Sequence, residues 1–358
     1  TIQSLAKQFA PEFIAVRHHL HSHPELSYQE FETSKYVQGK LKEFGIPFEV
    51  KATTGVVGLI KGKNPESRII ALRADMDALP ILEENDLPYK SQNPGVMHAC
   101  GHDVHTSSLL GAAVILHENK KSIRGEIRMI FQPGEEKLPG GASLMIDEGL
   151  FSVGSPDWII AQHVHPPLEA GHVGFRSGLY MASADEIYIS IKGKGGHAAT
   201  PHLCVDPIVI SARIITALQE IVSRSIDPLS PGVLTIGKIY SDGCATNVIP
   251  DTMRLEGTLR AMDEKWRIET HHRIQNLVEK ICESSGATAE VNVVTGYPSL
   301  INNDAVTSMC RKSAIAYLGE DKVHELPQRM TSEDFAFYYQ KVPASFYRLG
   351  TGWPETEK

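Results

Sequence analysis

Short apolar runs and longer helical patterns alternate over the first half of the chain. The apolar runs are rich in isoleucine and valine and end in turn residues, which predicts strands buried on both faces: RIIALRAD (68–75), GEIRMIFQ (125–132) and DWIIAQHV (157–164). Between them, HTSSLLGAAVILHEN and GGASLMIDEGL follow the period of a helix. Such alternation predicts an α/β fold with a mostly parallel central sheet and helices on both sides.

The pattern changes near residue 183. A strand with one solvated face, an amphipathic helix, a strand pair, a second helix and a last strand follow in the order β-α-β-β-α-β. This order is typical of a ferredoxin-like α+β unit. The sequence therefore predicts two domains: a larger α/β domain of residues 1–182 and 295–358, and a smaller inserted domain of residues 183–294. The length of 358 residues agrees with two domains, because a chain of this length is too long for one ordinary hydrophobic core.

Composition narrows the kinds of partner and the compartment. The formal net charge of −8, without a Lys/Arg-rich run, argues against nucleic-acid binding. No apolar stretch approaches the roughly 20 residues that span a bilayer. The N-terminus is interpreted as an amphipathic helix, not a secretory signal, although a signal could have been removed before Thr1. Five scattered cysteines without a CxxC pair exclude zinc fingers and a dense disulfide framework, and favour the cytoplasm: Cys100, Cys204, Cys244, Cys282 and Cys310.

Candidate metal ligands stand at or near the ends of the predicted strands. A lone cysteine or histidine is usually a structural residue, so no single candidate is strong evidence for a metal site. Ligands of open α/β sheets bind beyond the carboxyl ends of the strands, and hydrolytic two-metal sites combine carboxylates with imidazoles. The convergence of this set therefore favours a metal site: Asp75, Asp77, Cys100, His102, Glu135, Glu136, His163 and His165.

The Glu135–Glu136 pair suggests a division of labour. Two adjacent acids at a strand end point in different directions, so one can bind a metal while the other faces the attacking water. A solvated turn acid is the alternative for either residue, but it is less favoured directly after an apolar strand.

Another histidine-rich segment is interpreted as structural. HHLHSHPEL (18–26) has the density of a ligand cluster, but helical spacing spreads its side chains around the axis. The local sequence shows no carboxylate partner of evident function, so we predict a structural helix end.

Several motifs in order along the chain resemble a known family. RADMDALP, MHACGHDVHT, FQPGEE, GGHAATPH, NVIP and GTLR resemble the motifs of the aminoacylase/carboxypeptidase family of metallopeptidases. The match is closest to its amidohydrolase branch, which includes hippurate-hydrolase-like, indoleacetyl-amino-acid-hydrolase-like and N-acyl-L-amino acid amidohydrolase enzymes. The resemblance runs from HPELSYQE to SEDFAFY and so covers nearly the whole chain. It implies a metal-binding α/β catalytic domain interrupted by a smaller lid or dimerisation domain.

The resemblance also implies roles for individual residues. Glu135 becomes the general base, and Asp77 the acid that orients the site. Asp75 takes the place of a histidine ligand of other branches, while Asp103 and His105 are expected to shape the loop and the helix start. A mixed sulfur, nitrogen and oxygen donor set accepts zinc, manganese or cobalt, so we expect one or two divalent ions per chain. The metal ligands implied by the resemblance are Cys100, His102, Glu136 and His163.

Three residues of the inserted domain are expected to handle the substrate. The resemblance implies that His197 stabilises the developing oxyanion and that Asn247 donates an amide hydrogen bond. Arg260 is expected to hold a free carboxylate with its guanidinium fork. Without the resemblance, each of these three residues could equally be interpreted as an ordinary turn or surface residue. A homodimer or higher homo-oligomer through the lid domain is predicted, and the sequence leaves open whether His197 serves its own or a neighbouring subunit.

One expected ligand has no counterpart in the sequence. The family usually provides a further histidine ligand close to the C-terminus, in an H-x-P-x-F-like stretch, but no histidine follows His324. We expect a C-terminal tail that carries it; without such a tail the second metal would be incomplete.

These observations predict a metal-dependent amidohydrolase that cleaves N-acyl-L-amino acids to a carboxylate and a free amino acid, with no nucleic-acid or membrane partner. Three alternatives stay open. A dipeptidase or aminopeptidase of the same family needs recognition of a free α-amine, for which the lid shows no acidic motif. A non-catalytic metal-binding or assembly protein follows if the last histidine is absent. A cysteine-nucleophile enzyme is least favoured, since Cys100 and His102 would compete for one metal. The sequence leaves the acyl group open.

Overall fold

The computed structural model of the protein describes residues 2–242 and 245–353, so that Cys244 lies outside the described residues. The chain divides into two compact units. The first consists of the chain up to Tyr180, Ile301–Pro327 and the chain from Asp334 onward, and the second of Met181–Leu300 with Gln328–Glu333. The domain ranges predicted from the sequence, with their lid and dimerisation roles, stay predictions.

Strands and helices are numbered along the whole chain. The strands are β1 Phe48–Lys51, β2 Gly55–Lys61, β3 Ile69–Asp75, β4 Glu126–Gln132, β5 Trp158–Glu169, β6 Val173–Phe175, β7 Gly178–Met181, β8 Asp185–Lys192, β9 Gly196–His197, β10 Gly232–Ser241, β11 Val248–Ile249, β12 Thr252–Ala261, β13 Thr288–Thr295, β14 Leu300–Asn302, β15 Val323–Glu325 and β16 Ala344–Gly352. The helices are α1 Ile2–Ser22, α2 Phe31–Glu43, α3 His102–Glu118, α4 Gly141–Asp147, α5 Pro207–Ser225, α6 Glu264–Ser284, α7 Asp304–Leu318 and α8 Ala336–Tyr339.

The first unit contains an eight-stranded sheet in the order β1-β2-β4-β3-β5-β16-β6-β15. Its centre is parallel, since β3 pairs in parallel with β4 and β5, and β5 in parallel with β16. Antiparallel pairs connect β1, β2 and β4 at one side and β16 to β6 at the other. The predicted α/β class with a mostly parallel sheet is therefore confirmed.

The three strands predicted from apolar runs form the middle of this sheet. In β4, every residue after Glu126 is buried, as expected for a strand covered on both faces. The structure differs from the prediction in β5, which continues past residue 164 to Glu169. It does so because its last residues pair with the far end of β16.

Helices α2 and α3 pack against this sheet through their apolar faces, and α1 packs against α3. Leu20, Leu41 and Leu110 are almost fully buried in one cluster with Met129 and Phe131 of β4. A buried leucine contributes roughly 1.5–3 kcal/mol relative to an exposed one. This cluster fixes the position of α3, whose first residue is His102.

The second unit is a four-stranded antiparallel sheet in the order β10-β12-β8-β13. Strand β8, the first of the four along the chain, lies between β12 and β13 in the sheet. This is the split βαβ arrangement. Helices α5 and α6 begin at the aspartate caps Asp206 and Asp263, which accept backbone N–H bonds. Their apolar faces share one core with the sheet.

Of the helices that the structure describes, none combines the length and the apolar character required to cross a bilayer.

We expect Leu110→Ala to lower the free energy of unfolding by about 2–5 kcal/mol, because it leaves a cavity beneath the sheet. Urea unfolding of the variant measures the loss. Leu82→Ala is the matched control, since Leu82 is 65% exposed and should change stability little. Equal stabilities of the two variants would contradict this placement of the core.

Candidate metal centre

The residues predicted as metal ligands lie at the carboxyl edge of the central strands. Asp75 ends β3 directly opposite Gln132, the last residue of β4. Helix α3 starts at His102, directly after Gly101, whose φ of 83° is in the left-handed region. A Cβ on Gly101 would lie 2.6 Å from Val164 Cγ2, so the close approach of α3 to β5 requires glycine.

Asp77 determines how His102 is oriented. The Nδ1–H of His102 donates to Asp77 Oδ1 at 3.1 Å, which leaves Nε2 directed away from Asp77. The other carboxylate oxygen accepts the Ser27 hydroxyl at 2.6 Å and the Glu136 backbone N–H at 2.9 Å. Burial raises the pKa of Asp77, but the hydrogen bonds from His102 and Ser27 outweigh it, so this pKa is lowered. One carboxylate thus orients both an imidazole and the turn with the acid pair.

His163 and Cys100 complete the donor set. The Nδ1–H of His163 donates to the Val164 carbonyl at 2.8 Å, and its Nε2 lies 3.3 Å from Cys100 Sγ. In this arrangement the thiol donates to the imidazole, and a metal ion would replace its proton. Burial raises the pKa of the Cys100 thiol and outweighs the opposite effect of the neighbouring His102. His165, also a candidate, belongs to none of the groups of metal-capable atoms found in the described ranges.

The donor atoms fit a divalent cation. His102 Nε2 and Glu136 Oε1 are buried without a hydrogen-bond partner in the described part of the chain, and they lie 3.7 Å apart. Unpartnered buried polar atoms are costly unless a ligand satisfies them. Thiol sulfur, imidazole nitrogen and carboxylate oxygen together suit zinc, manganese or cobalt.

The electrostatics of His102 also favour a bound cation. Burial lowers the pKa of His102, but the charge of Asp75 and the bond with Asp77 outweigh it, so the pKa lies well above its usual value. A position that stabilises a buried imidazolium also favours a metal cation. His102 is common to three groups whose ligand atoms lie within 4.8 Å of one another: Cys100–His102–His163, Asp75–His102–His105 and His102–Glu135–Glu136.

Asp75 and His105 are held by hydrogen bonds to each other and to further protein groups. Asp75 Oδ1 accepts the Nδ1–H of His105 at 2.5 Å, and Oδ2 accepts Arg73 Nη1 at 2.7 Å. His105 Nε2 in turn accepts the Val164 N–H at 2.9 Å, which fixes its tautomer. Burial raises the pKa of Asp75, but His102 and Arg73 outweigh it and lower this pKa well below its usual range. Both residues support α3 and β5 in this structure.

Glu135 is buried beside the donors. Its side chain is 7% exposed, and Oε1 accepts the Asp334 backbone N–H at 3.3 Å. Its carboxylate lies within 4.8 Å of the donor atoms of His102 and Glu136. Chemically, the arrangement offers a carboxylate able to accept a proton next to a cation site.

Sequence reasoning missed a buried charged network behind the donors. His21 Nδ1 bonds Asp103 Oδ2 at 2.8 Å, and His21 Nε2 lies 3.1 Å from Glu83 Oε1. Arg17 Nε lies 2.9 Å from the same Asp103 oxygen. Burial raises the pKa of Asp103, but His21 outweighs it and lowers the pKa to about 2. His21 of the histidine-rich helix end therefore does have carboxylate partners, 62 and 82 positions away, and no local sequence signal marks them.

The predicted substrate residues lie in the second unit. His197 in β9 pairs with Val248 in β11, and the Asn247 carbonyl accepts the Ala198 N–H at 2.9 Å, so His197 and Asn247 are neighbours. His197 Nδ1 accepts the Ala199 N–H at 3.0 Å, which leaves Nε2 to carry the proton. Arg260 lies in a different sheet, on β12, and donates from Nη1 to Ser332 Oγ at 2.5 Å.

A mostly parallel sheet with imidazole, thiol and carboxylate donors at its carboxyl edge defines an α/β metallohydrolase. The sequence matches peptidase family M20/M25/M40 over residues 71–357, and the chain belongs to this family. The predicted family and hydrolase class are confirmed.

Two named relatives and a solved structure are similar to this chain over most of their length. The N-acyl-L-amino acid amidohydrolase of Geobacillus stearothermophilus is 44% identical over 304 residues, which cover 85% of this chain and 81% of the relative. Thermostable carboxypeptidase 1 of Saccharolobus solfataricus is 42% identical over 344 residues, which cover 94% of this chain and 85% of the relative. The crystal structure of a dinuclear metal-binding peptidase of the M20 family from Bacillus subtilis matches with a TM-score of 0.82 at 36% identity, covering 98% of this chain and 91% of that chain.

Asp77→Asn should weaken metal binding by about 10- to 100-fold. The amide oxygen will keep the Ser27 and Glu136 donors, so the amide NH₂ faces His102 Nδ1 and moves the imidazole proton to Nε2. Competition with a chromophoric chelator measures the affinity for zinc or manganese. Asp86→Asn, at an exposed aspartate, is the control. Wild-type affinity in Asp77→Asn would show that the tautomer is fixed by other contacts.

Proposed function

We propose that the protein hydrolyses the amide bond of N-acyl-L-amino acids in a metal-dependent reaction and releases a carboxylate and a free amino acid. The observation that carries this proposal is the buried Glu135 carboxylate beside the donor cluster, close to His102 and Glu136 but held separately by the Asp334 N–H. The identity with an amidohydrolase at 44% supports the substrate class.

Cys100, His102, Glu136 and His163 are the residues that would hold one or two zinc, manganese or cobalt ions. A bound ion supplies Lewis-acid polarisation of the scissile carbonyl. Asp77 keeps the Nδ1 proton on His102 and so keeps Nε2 available as a donor. The Val164 carbonyl does the same for His163.

Glu135 moves the proton in this mechanism. Its carboxylate takes a proton from the attacking water as the new C–O bond forms at the carbonyl carbon. The same proton then passes to the nitrogen of the leaving amine as the C–N bond breaks. The buried position of Glu135 restricts competing water, which strengthens its electrostatic interactions.

The second unit supplies the proposed substrate contacts. His197, whose Nδ1 accepts a backbone N–H, would donate from Nε2 to the developing oxyanion. Asn247 would add an amide hydrogen bond, and Arg260 would bind the α-carboxylate that N-acyl amino acids carry. These three assignments rest on the sequence and on side-chain chemistry.

A second candidate is peptide hydrolysis, favoured by the 42% identity with a carboxypeptidase. Both substrate classes end in a free carboxylate and differ in the group on the acyl side. Comparison of N-acetyl amino acids with free dipeptides of the same C-terminal residue separates them. A homodimer or higher homo-oligomer through the second unit, a cytoplasmic location and a histidine ligand near the C-terminus stay predictions.

Glu135→Gln should retain bound metal and lower kcat by about 10²–10⁴-fold, since it preserves shape but removes the base. Glu136→Gln is the matched variant at the neighbouring position and should instead lower the metal content. Elemental analysis and steady-state hydrolysis of N-acetyl amino acids measure the two effects. Equal loss of metal in both variants would refute the division of roles within this pair.

Arg260→Ala should raise KM by about 10- to 100-fold with a smaller change in kcat, because a carboxylate contact exists in the ground and transition states alike. The preference for N-acyl amino acids over their amides should disappear. Arg254→Ala is the control, since Arg254 is an exposed arginine on the same strand. Unchanged selectivity in Arg260→Ala would remove the carboxylate assignment.

A further inference from the structure

The segment Ser27–Glu30, between α1 and α2, contacts the turn that carries the acid pair. The Glu30 carboxylate is fully buried. Its Oε1 accepts the N–H of Gly134 at 2.8 Å and that of Tyr28 at 2.8 Å, and Oε2 accepts the Thr54 hydroxyl at 2.8 Å. Within residues 2–242 and 245–353, no cationic side chain pairs with it. A buried carboxylate satisfied by neutral donors alone is a costly arrangement.

Tyr28 holds the same turn from the other side. Its hydroxyl donates to the Lys137 carbonyl and accepts the Gly140 N–H at 2.9 Å. Its ring lies against Gly134, where an added Cβ would clash with the ring. Tyr28 itself has a φ of 67°, which is uncommon for a residue with a side chain. Its N–H bond to Glu30 helps to hold this strained backbone.

The contacts of this segment enclose the acid pair on both sides. Gly134 directly precedes Glu135 and has a φ of 55°, in the left-handed region. Because glycine adopts positive and negative φ about equally well, its own sterics do not hold this conformation. The bond from Gly134 to Glu30 supplies the restraint on one side, and the Tyr28 bonds supply it on the other. Costly local features persist where the surroundings over-determine them, and they cluster at functional sites.

We propose that Glu30 is a positioning residue that holds Gly134 and thereby fixes Glu135 for proton transfer, and that its role is hydrogen-bond acceptance, not charge. The proposal rests on the proposed function of Glu135. Glu30 acts through the turn and needs no contact with substrate or metal. It lies outside the set predicted from the sequence, since Gly134 is 104 positions away.

The test compares Glu30→Ala with Glu30→Gln. The glutamine carbonyl can accept the two backbone N–H groups, while its NH₂ donates to Thr54 Oγ. We expect Glu30→Ala to lower kcat by about 10- to 100-fold with KM changed less than about 3-fold, as small displacements of catalytic groups do. Glu30→Gln should restore kcat to within about 3-fold of the wild type.

Hydrogen exchange of residues 133–140 provides a readout that does not depend on activity. The exchange should rise in Glu30→Ala and return to the wild-type level in Glu30→Gln. Glu25→Ala is the matched control: its carboxylate caps the start of α2 through the N–H groups of Glu32 and Thr33. This control should lower stability but leave both the exchange of 133–140 and kcat near the wild type.

Thr54→Val keeps the proposal testable if Glu30→Ala does not fold. It removes one of the three donors to Glu30 and should lower kcat by about 3- to 10-fold in the same direction. Unchanged kcat and exchange in this variant would then overturn the proposal.

The outcomes separate this proposal from the proposed function. If the wild type cleaves N-acyl amino acids but Glu30→Ala raises exchange without lowering kcat, the positioning role is overturned and the function stands. A Glu30→Gln variant as inactive as Glu30→Ala also overturns it, because charge would then be the property that matters. If the wild type cleaves no such amide, the proposed function fails, and with it the role of Glu30 in catalysis.

Discussion

The hydrogen bond between His102 Nδ1 and Asp77 is the interaction on which the rest of the site depends. It decides which imidazole nitrogen is available, and only Nε2 faces the other donors. The same carboxylate accepts the N–H of Glu136, so the orientation of the imidazole and the position of the acid pair are coupled. A carboxylate that fixes an imidazole tautomer is a recurrent way to prepare a metal ligand.

Around this bond the fold gathers buried carboxylates, and several of them are paired with cationic side chains. Arg73 is paired with both Asp75 and Asp334, and His21 and Arg17 lie against Asp103. Buried charges are tolerated where they are paired and hydrogen-bonded. In the described part of the chain, His102 Nε2 and Glu136 Oε1 are buried without a hydrogen-bond partner, and they lie 3.7 Å apart. At this edge of the sheet, the two facing atoms that the protein leaves unsatisfied are ones that a cation would satisfy.

The sequence was sufficient to predict the features that strand order determines, and insufficient for those that tertiary contacts determine. β3, β4 and β5 were predictable because a parallel strand covered on both faces leaves a continuous apolar run, and parallel strands bring their carboxyl ends to one edge. The support of Asp75 by Arg73 needs the strand geometry, in which alternate residues share a face. The bonds from Glu30 to Gly134 and from His21 to Asp103 join distant segments, and no periodicity reports them.

The place of β16 in the sheet has a consequence for the order of folding during synthesis. This strand is the last of the described chain, yet it lies between β5 and β6, and it pairs with His163 through Arg348. While the ribosome is still producing the second unit, the β16 side of β5 has an unpaired edge, and such edges invite association with other chains. The nascent α/β domain therefore cannot close its sheet until β16 has emerged after the whole second unit, and β5 is the strand that chaperones would need to shield.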